Sequence, residues 1–314
     1  MAKQMRAALY NAFGGEIKIE TVDVPELKEG EVLVRIMAAG VNPVDAAVQA
    51  GYLKDFLPTN FPVIPGWDVA GVVEDRSFSA RRFDVGDKVY AYARRPTVHN
   101  GTFAEYIALP ESYLAAKPDS ISFEEAAGIP LVGLTAYQSL FEVGRLEQVH
   151  TVLILGGSGG VGSMAIQLAK YKGASVIAVA SEKNHAYMQE LGADHTIDYK
   201  KGDVGEAVKE LAPDGVDLLF DCVAGETLEQ SLASLKPSGK LVSILHQGDG
   251  LDPDIDFSYV FVEPNSKQLD HLREIADTNQ LKVHVSKTYP LDQTAEAMKQ
   301  IQSLHTKGKI IIVP

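Results

Sequence analysis

The sequence predicts an α/β chain of two domains, one mostly β and one built as a doubly wound parallel sheet. Three observations carry that prediction. At 314 residues the chain exceeds the usual size of one hydrophobic core. Its first third shows short strand-like runs among Gly and Pro punctuation. From Thr151 onward, strand and helix signals alternate, which requires parallel strands with helices on both faces.

From Glu31 to Met37 apolar and polar residues largely alternate, and further strand-like runs sit at Val69–Val73 and Lys88–Tyr92. The pattern changes near Ser122. Ser122 and Glu125 have capping-box spacing, in which each side chain satisfies an orphan amide at a helix start, and a helical stretch is expected to about Phe141. The alternating region then predicts strands at Thr151–Leu155, Ser175–Ala180, Val216–Asp221 and Lys240–Leu245. Helices are expected at Gly160–Lys172, Lys183–Leu191 and Glu226–Leu235. An outer strand follows at Tyr259–Val262, then helices near Ser266–Asp277 and Thr294–Leu304 and a last strand at Ile310–Val313. The final segment is too short to fold alone, so it is expected to rejoin the first domain.

Bulk chemistry narrows the function classes. A formal net charge of -13 disfavours phosphate backbones and anionic membranes, so no nucleic-acid or membrane partner is expected. Cys222 is the sole cysteine, which excludes an intramolecular disulfide and a thiolate-rich zinc site. The eight histidines are scattered without metal-like spacing, and no metal is expected. No signal-peptide core and no apolar run of about 20 residues is present, and a cytoplasmic location is the expectation.

Thr151–Leu155 runs directly into Gly156-Gly157-Ser158-Gly159-Gly160-Val161-Gly162, which opens the helix holding Met164, Ile166 and Leu168. Gly157, Gly159 and Gly162 satisfy G-x-G-x-x-G in its required setting of strand, turn and helix. Their expected tasks are the turn itself, close approach of backbone to a pyrophosphate, and close packing of helix on strand. The helix N-terminus adds free amides and partial positive charge, so Gly157, Ser158, Gly159, Gly160, Val161 and Gly162 are assigned to a dinucleotide. The second strand ends in Ala180-Ser181-Glu182-Lys183, where an NAD site would carry an acidic residue for the ribose 2′-hydroxyl. Ser181 can hydrogen-bond a 2′-phosphate and Lys183 can neutralise it, which favours NADPH. Glu182, turned inward, would favour NADH instead.

The chain resembles the medium-chain dehydrogenase/reductase superfamily, specifically its zinc-free quinone reductase branch. The resemblance spans almost the whole chain. It rests on Gly40-Val41-Asn42-Pro43-Val44-Asp45, Pro65-Gly66-Trp67-Asp68-Val69-Ala70-Gly71, Gly101-Thr102-Phe103-Ala104-Glu105-Tyr106, Gly133-Leu134-Thr135-Ala136-Tyr137, the glycine turn and Gly308-Lys309-Ile310. It implies a GroES-like β domain over residues 1–121, a Rossmann NADPH-binding domain over 122–262, and a return segment, 263–314, completing the first. It also implies a homodimer through the outer strand of the Rossmann sheet. Zinc-dependent relatives place a cysteine where this chain has Asn42 and a histidine where it has Trp67. Without such a Lewis acid, reduction of an electron-poor quinone or enone remains feasible, because the acceptor itself delocalises the charge and the protein mainly aligns the reactants.

By the same resemblance, Asn42 and Thr135 border the nicotinamide and Asp45 fixes the loop, although Asn-Pro and Asp are also ordinary turn residues. Tyr199, after the third strand, joins Lys183 at the 2′-phosphate. Lys309 either approaches the cofactor or is a surface lysine. Tyr52 is a candidate proton donor or substrate contact, offset by one residue from the usual tyrosine of this loop. Cys222, Leu245 and His246 lie at the carboxyl edge of the sheet, where α/β folds expose ligands. Nothing near Cys222 would activate its thiol. The competing reading is a non-catalytic NADPH-binding sensor or structural protein.

Overall fold

The computed structural model describes residues 3–303 and 306–314, so the predicted helix end at Leu304 lies outside the described residues. The chain divides into two compact units. One comprises Met1–Leu131, Pro264–Asn279 and Val283–Pro314, the other Val132–Glu263 and Gln280–Lys282. Among the described residues no helix is long and apolar enough to cross a membrane.

The first unit is organised by one long strand, Glu31–Val41, in a seven-stranded sheet. One edge of this strand pairs antiparallel with Asp68–Arg76. The other is shared: residues 31–35 pair with Tyr106–Pro110 and residues 39–41 with the last strand, Lys309–Val313. The chain end thus closes the sheet that the first hundred residues begin. Val34, Ile36, Val69, Val89, Ile310 and Ile312 bury their side chains in its core. Gly71 has no room for a side chain, since a Cβ there would stand 2.3 Å from the Arg35 carbonyl oxygen of the paired strand.

The second unit holds a six-stranded parallel sheet in the order His195–Ile197, Ser175–Val179, Thr151–Leu155, Val216–Asp221, Leu235–Ser243, Asp256–Tyr259. Numbered along the chain this is 3-2-1-4-5-6, the Rossmann order, which reverses between Thr151–Leu155 and Val216–Asp221. Leu153, Leu155, Ile177, Val179, Leu219 and Leu241 are buried, as continuous apolar strands covered on both faces must be.

Several predicted elements differ from those observed, among them the following three. The helical stretch after Ser122 is two helices, Phe123–Ala127 and Pro130–Tyr137, followed by a π-helical turn, Gln138–Val143. Pro130 lacks an amide hydrogen and bars the preceding residue from helical backbone, so the helix restarts there. The strand expected at Lys240–Leu245 runs from Leu235 to Ser243, because the Leu245 and His246 amides turn back to the Ser243 hydroxyl, at 3.1 and 2.8 Å. The outer strand expected at Tyr259–Val262 is Asp256–Tyr259. Its partner ends at Ser243, which pairs with Tyr259, and beyond that no ladder is available; Val260 and Val262 pack as buried side chains instead.

The capping box at Ser122 forms as its spacing requires, with the Glu125 amide 3.1 Å from Ser122 Oγ and the Ser122 amide 2.9 Å from Glu125 Oε2. Ser122→Ala is expected to cost about 1 kcal/mol of stability, measured as a lower midpoint of urea denaturation with an unchanged slope.

Candidate active site

In the second unit, the turn after Thr151–Leu155 is built from glycines whose tasks the structure separates. The left-handed residue is Gly156, with φ +80°, so the sharp turn falls one position before the glycine to which the sequence assigned it. Gly157 is demanded by packing: a Cβ would meet Met188 Sδ at 2.8 Å and Ala178 Cβ at 3.0 Å. Gly162 is demanded more strictly, since a Cβ would lie 2.2 Å from the Gly156 carbonyl oxygen. Gly159 differs from all three. Its φ of -77° suits any residue, and a Cβ would approach only the Gly156 oxygen, at an ordinary 3.5 Å. Neither backbone nor packing requires glycine there, whereas a phosphate approaching the helix end does. Gly159 caps the helix Gly160–Lys172, so the Gly160, Val161 and Gly162 amides occupy the first turn, where an α-helix supplies no carbonyl for them. The residues present therefore fit a dinucleotide pyrophosphate.

Around this turn three polar side chains escaped the sequence reading. Asn184 Nδ2 donates to Ser158 Oγ at 3.0 Å and to Ser181 Oγ at 3.3 Å, joining the glycine turn to the end of the second strand. Asp221, fully buried at the end of the fourth strand, accepts the Ser243 hydroxyl at 2.6 Å and the Val223 and Ala224 amides at 2.9 and 2.8 Å. Ser243 in turn holds the amides of Leu245 and His246. One carboxylate thereby fastens the loops carrying Cys222, Leu245 and His246. Ser181, three residues before Asn184, was a visible local signal, but the Ser158–Asn184 and Asp221–Ser243 partners lie 26 and 22 residues apart.

The predicted nucleotide residues are placed as follows. Ser181 is half-buried, and Lys183 is exposed in a single 3-10 turn, Glu182–Asn184. Glu182 is paired with Lys201 at 2.6 Å. Tyr199 is 41 % exposed, with the Lys200 ammonium 5.7 Å from its ring centre. Leu245 is exposed, while His246 is engaged within its own loop: Nδ1 accepts the Gly248 amide at 2.9 Å and the ring packs edge-on against Phe257. Burial, with the Asp221 charge beside it, pushes the half-buried Cys222 thiol well up, which keeps it protonated and unreactive. Thr135 is buried within Pro130–Tyr137.

In the first unit, Asn42, Asp45 and Lys309 are brought together with Asp68, which the sequence reading left unassigned. Asn42 caps the helix Pro43–Gln49, and its amide donates to Asp45 Oδ2 at 2.8 Å. Its side-chain Nδ2 donates to Asp68 Oδ2 at 2.9 Å, and its Oδ1 accepts from the Lys309 ammonium. Lys309 also reaches the Val41 carbonyl at 3.2 Å and Asp68 Oδ2 at 3.4 Å. The surface alternative for Lys309 is thereby removed, for it is 3 % exposed. Tyr52 stands apart: Gly51, with φ +84°, turns the chain after the helix and leaves the Tyr52 ring 79 % exposed.

Burial pushes the Asp68 carboxyl up and the Lys309 ammonium down. Against that, Asp68 accepts from Asn42, from Lys309 and, through Oδ1, from the Leu131 amide at 2.7 Å, and this donor set favours its ionised form. Asp45 lacks such support. Burial pushes it up to about 8, the Asn42 amide and Lys309 oppose, and the Asp68 charge adds to the rise. Its Oδ1 and the Tyr10 hydroxyl, which senses the Asp45 charge, are both buried without hydrogen-bond partners among the described residues, as suits a neutral Asp45. Among the described residues no group of three or more His, Cys, Asp or Glu side chains is arranged to hold a metal ion.

Two substitutions separate the glycine tasks: Gly162→Ala is expected to lower thermal stability sharply, whereas Gly159→Ala keeps stability and weakens dinucleotide binding, as read by calorimetric titration. A second expectation concerns pH. Between about pH 4 and 8 the folded chain holds the Asp45 proton and the unfolded chain does not, so this group's stabilisation is full below that window and is lost as pH rises through it. The loss is up to about 1.4 kcal/mol per pH unit. Urea denaturation at pH 5, 6.5 and 8 should show the wild type falling relative to Asp45→Asn; parallel curves would refute a neutral Asp45.

Comparison with known proteins places this geometry in a family. Residues 28–119 match the alcohol dehydrogenase GroES-like domain and residues 191–312 the zinc-binding dehydrogenase domain. The chain is 35 % identical to an NADPH-dependent alkenal/one oxidoreductase, chloroplastic, of Arabidopsis thaliana, over 99 % of this chain and 80 % of that one. It is 32 % identical to a chloroplastic quinone-oxidoreductase homolog of Spinacia oleracea, over 100 % of this chain and 99 % of that one. Among solved structures, the quinone oxidoreductase from Coxiella burnetii superposes with a TM-score of 0.90 at 30 % identity, covering 99 % of this chain and all of the other. The Rossmann strand order and the glycine turn agree with these matches: the chain belongs to the zinc-free quinone oxidoreductase branch of the medium-chain dehydrogenase/reductase superfamily.

Proposed function

We propose that this oxidoreductase uses NADPH to reduce a quinone or an α,β-unsaturated carbonyl, without a metal. The observation that carries the reading is the glycine turn at the reversal point of the sheet, with Gly159 left open where a phosphate would approach and the first-turn amides of the following helix beside it. The bound cofactor would supply the hydride. The names of the alkenal/one and quinone oxidoreductase relatives support both the cofactor and the acceptor class.

Each residue has a task in this reading. The Gly157–Gly162 amides bind pyrophosphate, and Asn184 steadies Ser158 beside them. Ser181, Lys183 and Tyr199 receive the 2′-phosphate, while Lys201 neutralises Glu182 and so removes its repulsion. Cys222, Leu245 and His246 line the carboxyl edge as packing and backbone contacts. Asn42 and Thr135 border the nicotinamide end. Asn42 keeps only one free amide hydrogen, and it acts by holding shape rather than by moving a proton. Tyr52, exposed, is available to an acceptor. With Asn42 and Trp67 where zinc relatives carry cysteine and histidine, charge on the reduced acceptor is met by delocalisation and hydrogen bonds. A second copy would pair through the edge strand Asp256–Tyr259 to form a homodimer.

The test is initial-rate oxidation of NADPH and NADH with 1,4-benzoquinone, 9,10-phenanthrenequinone and a short alkenone, with and without a chelator. Chelator-insensitive turnover favouring NADPH is expected, with Lys183→Ala raising KM for NADPH about ten-fold and leaving NADH unaffected. Preference for NADH would overturn the cofactor, and tight NADPH binding without turnover would make the chain a non-catalytic sensor.

A further inference from the structure

Asp68 meets three segments that are far apart in sequence. Its Oδ2 accepts Asn42 Nδ2 at 2.9 Å and faces the Lys309 ammonium at 3.4 Å; its Oδ1 accepts the Leu131 amide at 2.7 Å. Leu131 is the second residue of Pro130–Tyr137, the helix that carries Thr135. A carboxylate on a first-turn amide is where a helix N-terminus favours negative charge. Pro130 has no amide to offer, so Leu131 is the first donor of that helix.

The Asn42 carboxamide is held from both ends. Lys309 takes its oxygen and Asp68 takes one of its two amide hydrogens, an arrangement that admits one orientation of the amide, because a flipped group would set its NH2 against the ammonium and its oxygen against the carboxylate. Asn side chains otherwise turn broadly about their last torsion. The ring is closed to outside solvent: Asn42 and Asp68 are 0 % exposed. Gly40 lines it, since a Cβ there would lie 2.9 Å from Asp68 Cβ and 2.4 Å from the Ala127 carbonyl oxygen.

We infer that Asp68, clamped by Lys309, is the positioning residue of the candidate active site, holding the Asn42 carboxamide through one oxygen and the first turn of the Thr135 helix through the other. This rests on the reading of Asn42 and Thr135 as bordering the nicotinamide. Asp68 touches neither cofactor nor acceptor; its effect reaches the reaction through the two elements it holds. The loss expected on its removal is therefore in turnover rather than in cofactor binding, for the pyrophosphate and 2′-phosphate contacts belong to other residues.

Lys309→Met alone strands a buried carboxylate and endangers folding, so the decisive variant is Asp68→Asn with Lys309→Met. It removes both charges together and keeps side chains of similar length; replacing a buried pair by neutral groups is often tolerated. Three quantities are read: the melting temperature, the NADPH dissociation constant by titration, and kcat with the best acceptor. The expected result is a retained fold, NADPH affinity within about two-fold, and kcat lower by about ten-fold or more. A fourth readout does not depend on activity. The chain has seven asparagines, and the double variant gains one at position 68, so selective 15N-asparagine labelling resolves the Asn42 side-chain amide, which should exchange slowly in the wild type and rapidly in the double variant. Unchanged kcat with unchanged Asn42 exchange overturns the inference, as does a kcat loss matched by equal losses of NADPH affinity and stability. If the wild type reduces no acceptor, the proposed function fails, and the exchange arm still decides whether Asp68 and Lys309 hold Asn42.

Discussion

A carboxylate and an ammonium buried together are costly, and the first unit is arranged around making one such pair tolerable. Taking either ion out of water costs several kcal/mol, and their mutual attraction offsets this only when the remaining donors and acceptors are also satisfied. Here they are: Asp68 accepts from Asn42 and Leu131 besides Lys309, and Lys309 donates to Asn42 and to the Val41 carbonyl. The pair joins the strand Asp68–Arg76, the end of Glu31–Val41 and the start of the last strand. The last strand must therefore return to the centre of the sheet for the charges to be satisfied, and the sheet must close for the charges to be buried. Position 68 thus depends on residue 309, a separation that no local pattern reports.

The second unit depends on a steric constraint instead. Its parallel sheet brings the helix Gly160–Lys172 so near the turn that Gly162 has 2.2 Å between a hypothetical Cβ and a backbone oxygen. That closeness sets the first turn of the helix against the Gly156 and Gly157 backbone. Asp221 and Ser243 then tie down the neighbouring loops, and Asn184 links the turn to the second strand. The groups this turn offers are mostly backbone amides, so the chemistry of the side chains matters less than how rigidly they hold the turn.

Much of the second unit was legible because its signals are local. An apolar strand, a glycine turn and a helix follow one another within 25 residues, and the capping box at Ser122 needs only three. The first unit was less so: strands such as Gln4–Leu9, Lys18–Asp23 and Val285–Pro290 are short and carry polar residues, since part of each faces solvent. Element boundaries were misread where tertiary partners decide them. The helix Pro130–Tyr137 restarts at a proline and has its first amide, that of Leu131, received by Asp68, and Leu235–Ser243 stops where the Ser243 hydroxyl captures the Leu245 and His246 amides.

The sequence by itself determined the α/β class, the glycine turn between strand and helix, and the resemblance to the zinc-free quinone reductase branch. Periodicity, turn stereochemistry and motif spacing act over a few residues, and a linear reading captures them. Only the tertiary structure decided that Lys309 is a buried partner of Asn42, that Asp68 is the centre of that cluster, that His246 is occupied within its own loop, and that the edge strand ends at Tyr259. Each of these is an electrostatic or hydrogen-bonding debt left by burial, and its settlement depends on which distant residues the fold delivers to the same place.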